Sequence, residues 1–163
     1  MSQNNLKLIR NTYLKVLFIL HQNQFIMNSN KFLIGGIVGG VVYFVLGYVF
    51  YGLLLKKFFD ENGMATNMDT MVWWAMIVGN LAAGFLFAYV IGKAKASTMG
   101  SGASIGLIVG LLMALSFDLI MYGIGHGMTE FKAIAADVVV AAVISAIAGA
   151  AIAWVYGMGK KAA

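Results

Sequence analysis

The chain has 163 residues, of which 61% are hydrophobic and 10% charged, and its mean hydropathy is +0.88. A soluble domain is about 45–50% apolar and about 25% charged, so the composition excludes a soluble enzyme, a disordered chain and a nucleic-acid binder. The formal charge of +5 reads as membrane orientation in so apolar a chain. The absence of Cys excludes disulfides, Zn–thiolate sites and thiol nucleophiles.

Residues 1–31 form a basic lead-in. Leu6, Ile9, Tyr13, Leu17 and Leu20 recur near helical spacing among Lys7, Arg10 and Lys15. Two readings stand: a helix lying on the membrane surface, or an extension ahead of a start at Met27. Neither is a signal peptide, because Val16 to Leu20 is a short apolar run with no small-x-small site after it.

Four apolar runs follow, at residues 32–55, 71–92, 101–124 and 133–157. About 20 helical residues cross a hydrocarbon core of about 30 Å. Lipid offers no partner for backbone N–H and C=O groups, so each run must be a helix. The expected fold is an all-α membrane protein of four transmembrane helices, with a basic tail at 158–163. The connections 56–70, 93–100 and 125–132 are too short for a separate domain. One side collects Lys7, Arg10, Lys15, Lys31, Lys93, Lys95, Lys160 and Lys161; the other collects Lys56, Lys57 and Lys132. Both termini are therefore expected in the cytoplasm. Tyr48, Tyr51, Trp73, Trp74 and Tyr122 fall toward the outer interface in that orientation.

The two hairpins read as a tandem, parallel repeat. A shift of 71 places Ile34, Gly35, Ile37, Val38, Gly39, Tyr51 and Gly52 on identical residues of the third run. A shift of 65 does the same for Val78, Ala83, Gly84, Ala88, Val90 and Gly92 on the fourth. Both hairpins start and end on one side, so their axis lies along the membrane normal.

Small residues mark the faces that pack. Gly102, Gly106, Gly110, Ala114, Asp118 and Tyr122 follow at four-residue steps, as do Asp137, Ala141, Ser145, Gly149, Ala153 and Gly157. Gly35 pairs with Gly39, and Gly36 with Gly40. Close approach at small residues drives helix association in lipid. These rows serve the bundle itself or a homo-oligomer; the sharper alternative is a narrow permeation path. A row of this kind drifts about 40° per step, which suits a right-handed crossing.

Asp118 and Asp137 interrupt the third and fourth runs. At 1.5 Å per residue they lie roughly 9 Å and roughly 6 Å from the outer helix ends, at similar depth on antiparallel helices. A charged carboxylate at a helix centre costs about 2.5–3.5 kcal/mol, so such groups face protein or water. The structural reading has them bonded to Tyr122, Thr129, Lys132 or backbone, with Asp137 also favoured by its helix dipole. The functional reading is a shared proton or a bound cation, with His126 and Glu130 in the adjacent turn as further members. A metal on His126 and the acids is the weaker form of it. Asn80 is expected to bond across helices. The 11 Met residues read as filler. No phosphate loop, Ser/His/Asp order or paired-His motif is present, so no enzyme, cofactor or metal is expected.

The first run ends Gly47-Tyr48-Val49-Phe50-Tyr51-Gly52-Leu53-Leu54-Leu55, and the fourth opens Ile134-Ala135-Ala136-Asp137. Over about residues 32–157 this resembles the bacterial integral membrane proteins of domain-of-unknown-function family 1761. Phe50 stands where that family carries Trp, and the aromatic of the following loop is matched only by Phe58 or Phe59. The resemblance implies a four-helix layout in a bacterial inner membrane and no chemistry. The sequence thus reads as a packing or accessory protein, its partners the lipid bilayer, copies of itself and other membrane proteins. The alternative is a small proton or cation carrier using Asp118 and Asp137.

Overall fold

The computed structural model describes residues 14–15, 29–63, 70–125 and 130–158. Four helices in it are long and apolar enough to cross a membrane, and no strand occurs among the described residues. Helix α1 runs Ser29–Gly47 and continues as a π-helical stretch, Tyr48–Leu54. A short α2, Lys56–Glu61, follows. Helices α3 (Trp73–Lys93), α4 (Met99–Gly123) and α5 (Phe131–Gly157) complete the chain. The expected boundaries hold to within a few residues. The start of α4 is earlier than expected because Thr98 and Ser101 form a capping box, each side chain serving the other's backbone N–H.

Helix α5 is central. It packs on α4, α1 and α3, while α4 leans on α5 and scarcely touches α3. Its buried side chains include Ile134, Ile144, Ala148, Ile152 and Val155. The fully buried residues of α4 are Gly102, Gly106, Gly110 and Asp118. The four-residue row therefore stays on the interface to Asp118 and leaves it at Tyr122, which is exposed.

The small-residue rows are used inside the chain. A Cβ on Gly102 or Gly106 would overlap the carbonyl oxygen of Gly149 or Ser145 respectively, and one on Gly110 would strike the Ser145 side chain. Gly84 of α3 lies equally close to the backbone of Gly36 and Gly40 on α1. Gly35 and Gly39 face Tyr156 and Ile152 of α5, at 3.0 and 2.7 Å from an added Cβ. With these faces occupied, a homo-oligomer would have to assemble through other surfaces.

Packing also sets a register between the hairpins. By contact, Gly36 and Gly40 correspond to Gly102 and Gly106, with Gly84 and Gly149 as their partners. The sequence alignment instead matches Gly35 and Gly39 to Gly106 and Gly110.

The two ends of the bundle differ. At the end holding the α3–α4 turn, Lys31 donates to the carbonyls of Tyr156 (3.1 Å) and Met158 (2.6 Å), closing the last turn of α5. Tyr156 there donates to the carbonyl of Ala88 at 2.7 Å, tying α5 to α3. At the opposite end α3 splays away. Residues 72–79 are all exposed, and Gly79 has open space beside it among the described residues. The connection expected there as a polar loop instead contains α2. Phe59 of α2 is buried, and Asn62 caps it by donating to the carbonyl of Phe58 at 2.7 Å.

Candidate functional site

Three helices bring polar groups together in two tiers. In the first, Tyr43 of α1 donates to Ser145 Oγ of α5 at 2.5 Å, and Gly110 of α4 lies against the same side chain. In the second, Tyr51 lies close to Asp137, and Asp137 close to Asp118, within side-chain interaction range. Each helix steps eight residues between tiers: 43 to 51, 145 to 137, and 110 to 118. Eight helical residues rise about 12 Å. The antiparallel run of α5 is what lets one face of α1 serve both tiers.

Packing fixes the two tyrosine rings. Tyr43 stacks on Phe87 of α3, with centroids 5.2 Å apart. Tyr51 stacks on Phe59 of α2 at 5.3 Å. The π-helical stretch carries Tyr51, and its wider turn is visible in the bond from Leu55 N–H to the carbonyl of Phe50 at 2.8 Å. Single wide turns of this kind are frequent at functional sites.

Asp118 is 1% exposed and Asp137 7%. The Asp118 Oδ2 atom is buried and has no hydrogen-bond partner among the described residues. Buried polar atoms are nearly always paired, and an orphan asks for a proton, an ion or a ligand. Two carboxyl groups brought together inside apolar helices are a known way to share a proton. The arrangement can hold one proton between two acids.

The sequence brought Asp118 and Asp137 to one depth, and the structure joins them. The partners expected for them differ. Tyr122 and Lys132 are exposed, whereas Tyr51 supplies the contact. Glu130 is exposed just ahead of α5. His126 and Thr129 lie outside the described residues. No group of three or more His, Asp or Glu that could hold a metal gathers among the described residues. Asn80 does not bond across helices; its amide donates to the carbonyl of Met76 in its own helix at 2.7 Å. Its place near the end of the first run marks Tyr51 only as an interface aromatic in the sequence. The eight-residue spacing it shares with Tyr43, matched by Asp137 and Ser145, was the signal that marks it.

A cavity of about 370 Å³ adjoins the second tier. Tyr43, Tyr48 and Tyr51 line it from the first helix, Trp73 and Met76 from α3, and Ile144 from α5. It exists because α3 is held tight on α1 at Gly84 and splays beyond it. Tyr51 belongs to both features: it lines the cavity and touches Asp137.

No protein-family model, curated protein or solved structure matches the chain.

Proposed function

We propose that this chain is a small proton-handling carrier, with Asp118 and Asp137 as the proton site and Tyr51 as its positioning residue. One observation carries the reading: a carboxylate oxygen of Asp118 is buried without a hydrogen-bond partner among the described residues, close to a second buried acid. An ion-handling role accounts for acids inside apolar helices, where they are costly. A protein that needed only packing had Gly rows for the purpose, and those rows already close both hairpins.

The proposal places the chain in a bacterial inner membrane with both ends in the cytoplasm, supported by the excess of Lys and Arg on that side. It includes a tandem origin for the hairpins, supported by the sequence identities at shifts of 71 and 65. It assigns no catalytic residue.

The test is proton flux. Proteoliposomes loaded with a pH-sensitive dye are placed under an imposed diffusion potential. Flux above empty liposomes is expected for the wild type and is lost in Asp118→Asn and Asp137→Asn that remain folded. Folded wild-type protein with no flux at any pH would overturn the reading in favour of an accessory protein.

A further inference from the structure

The cavity beside the acid pair has the chemistry of a ligand site. Its volume, about 370 Å³, falls in the range of small-molecule pockets, about 300–1,000 Å³. Aromatic side chains dominate its lining: Tyr43, Phe44, Tyr48 and Tyr51 from the first helix and Trp73 from α3. Aromatic rings present negative faces, and a desolvated cation is attracted to them. Asn80 adds one amide.

Among the described residues, the charged groups buried nearby have one sign. Asp137 touches Tyr51, and Ala141, one turn along α5 from Asp137, lines the cavity. Helix α3 brings no charged residue to this end; its Lys93 is at the far end, over the ring of Tyr89. On α2, Lys56 pairs with Asp60 and Lys57 with Glu61. Lys132 and Glu130 are exposed at the start of α5. From the first helix the facing titratable groups are Tyr43, Tyr48 and Tyr51, from α4 Asp118, and from α5 Asp137. An anion would meet buried carboxyl groups here without a buried counter-charge among the described residues.

We propose that the cavity binds a small organic cation, an aromatic or quaternary ammonium compound, and that its entry expels the proton held by Asp118 and Asp137. This rests on the proton-site reading. The exchange balances: one positive charge enters beside the acids, and one proton leaves for water. No bond other than the O–H of the carboxyl group breaks. Tyr51 links the halves, with its ring on the cation and its hydroxyl on Asp137. Such an exchange makes the protein an antiporter of organic cations against protons.

Two isosteres test this: benzyltrimethylammonium, and neopentylbenzene with carbon in place of nitrogen. Both are titrated into the purified full chain in detergent while Trp fluorescence is followed, with Trp73→Phe identifying the reporter. Proton release is read in weakly buffered solution. The cation is expected to bind about tenfold tighter than its isostere, the equivalent of ~1.4 kcal/mol, within the range of a desolvated cation–π contact. It should release about one proton per site, and Asp118→Asn should abolish release. Tyr48→Leu, at a half-exposed wall position away from the acids, should weaken cation binding and spare the fold. Equal affinity for the isosteres, or binding of the cation without proton release, would overturn the proposal. An infrared band of a protonated carboxyl in the ligand-free protein tests the acid pair separately. That band without cation preference defeats the cavity assignment alone; its absence defeats the proton site as well.

Discussion

Asp137 meets Asp118 across the α4–α5 interface two helical turns beyond the point where Ser145 meets Gly110. The glycine contacts hold the two helices together, and the acids are carried into contact at the end of the same row. The carboxyl pair is thus a consequence of close helix packing, and damage to the packing should reach the acids.

Gly149→Ala places a methyl group on the carbonyl of Gly102, and Gly84→Ala places one on the backbone of Gly40. Backbone cannot yield as a side-chain tip can. Each is expected to destabilise by at least about 1–3 kcal/mol, the usual cost of overpacking. Gly79→Ala meets open space among the described residues and should be neutral or stabilising by up to about 1 kcal/mol from helix propensity. Unfolding in denaturing detergent, followed by circular dichroism, measures all three.

Tyr51→Phe keeps the ring against Phe59 and removes the hydroxyl from Asp137. Tyr43→Phe does the same to Ser145. Each should cost about 1 kcal/mol. The tiers are about 12 Å apart along the helix, so the double variant should be additive within about 0.5 kcal/mol. Tyr51→Phe combined with Asp137→Asn should depart from additivity, because those groups touch. The same unfolding assay reads both cycles.

Much of this architecture was legible in the sequence. The four spans announce themselves because lipid demands long uninterrupted apolar helices, and the Gly rows because close contact needs small residues at fixed spacing. That Asp118 and Asp137 stand at matching levels of antiparallel helices followed from counting residues. Tyr51 and Phe59 were not legible as partners of the site. Their placement depends on a π-helical turn and on α2, and neither has a periodic signature in seven or fewer residues. The cavity was hidden for a different reason: it arises where α3 departs from α1, and the exposed run at 72–79 is apolar whether it meets protein or lipid.

Asp118→Asn preserves shape and can still hydrogen-bond Asp137, so the variant should fold with little change in stability. Asp118→Ala leaves a void and strands Asp137, and should cost about 1–3 kcal/mol. A comparison of thermal transitions in one detergent separates the two, and makes Asp118→Asn the proper variant for flux.

Lys31→Met removes two hydrogen bonds to the final carbonyls of α5. The half-buried site limits the effect to about 1 kcal/mol. The loss should be local. Hydrogen exchange should quicken at residues 155–158 while the α4–α5 contact around Ser145 keeps its protection.

The acid pair itself is best read by infrared spectroscopy of protein carrying isotope-labelled aspartate, at neutral pH and without ligand. A labelled C=O band of a protonated carboxyl group is expected in the wild type, and its loss in both Asp118→Asn and Asp137→Asn. A wild-type spectrum with ionised aspartate bands alone would contradict a proton held between Asp118 and Asp137.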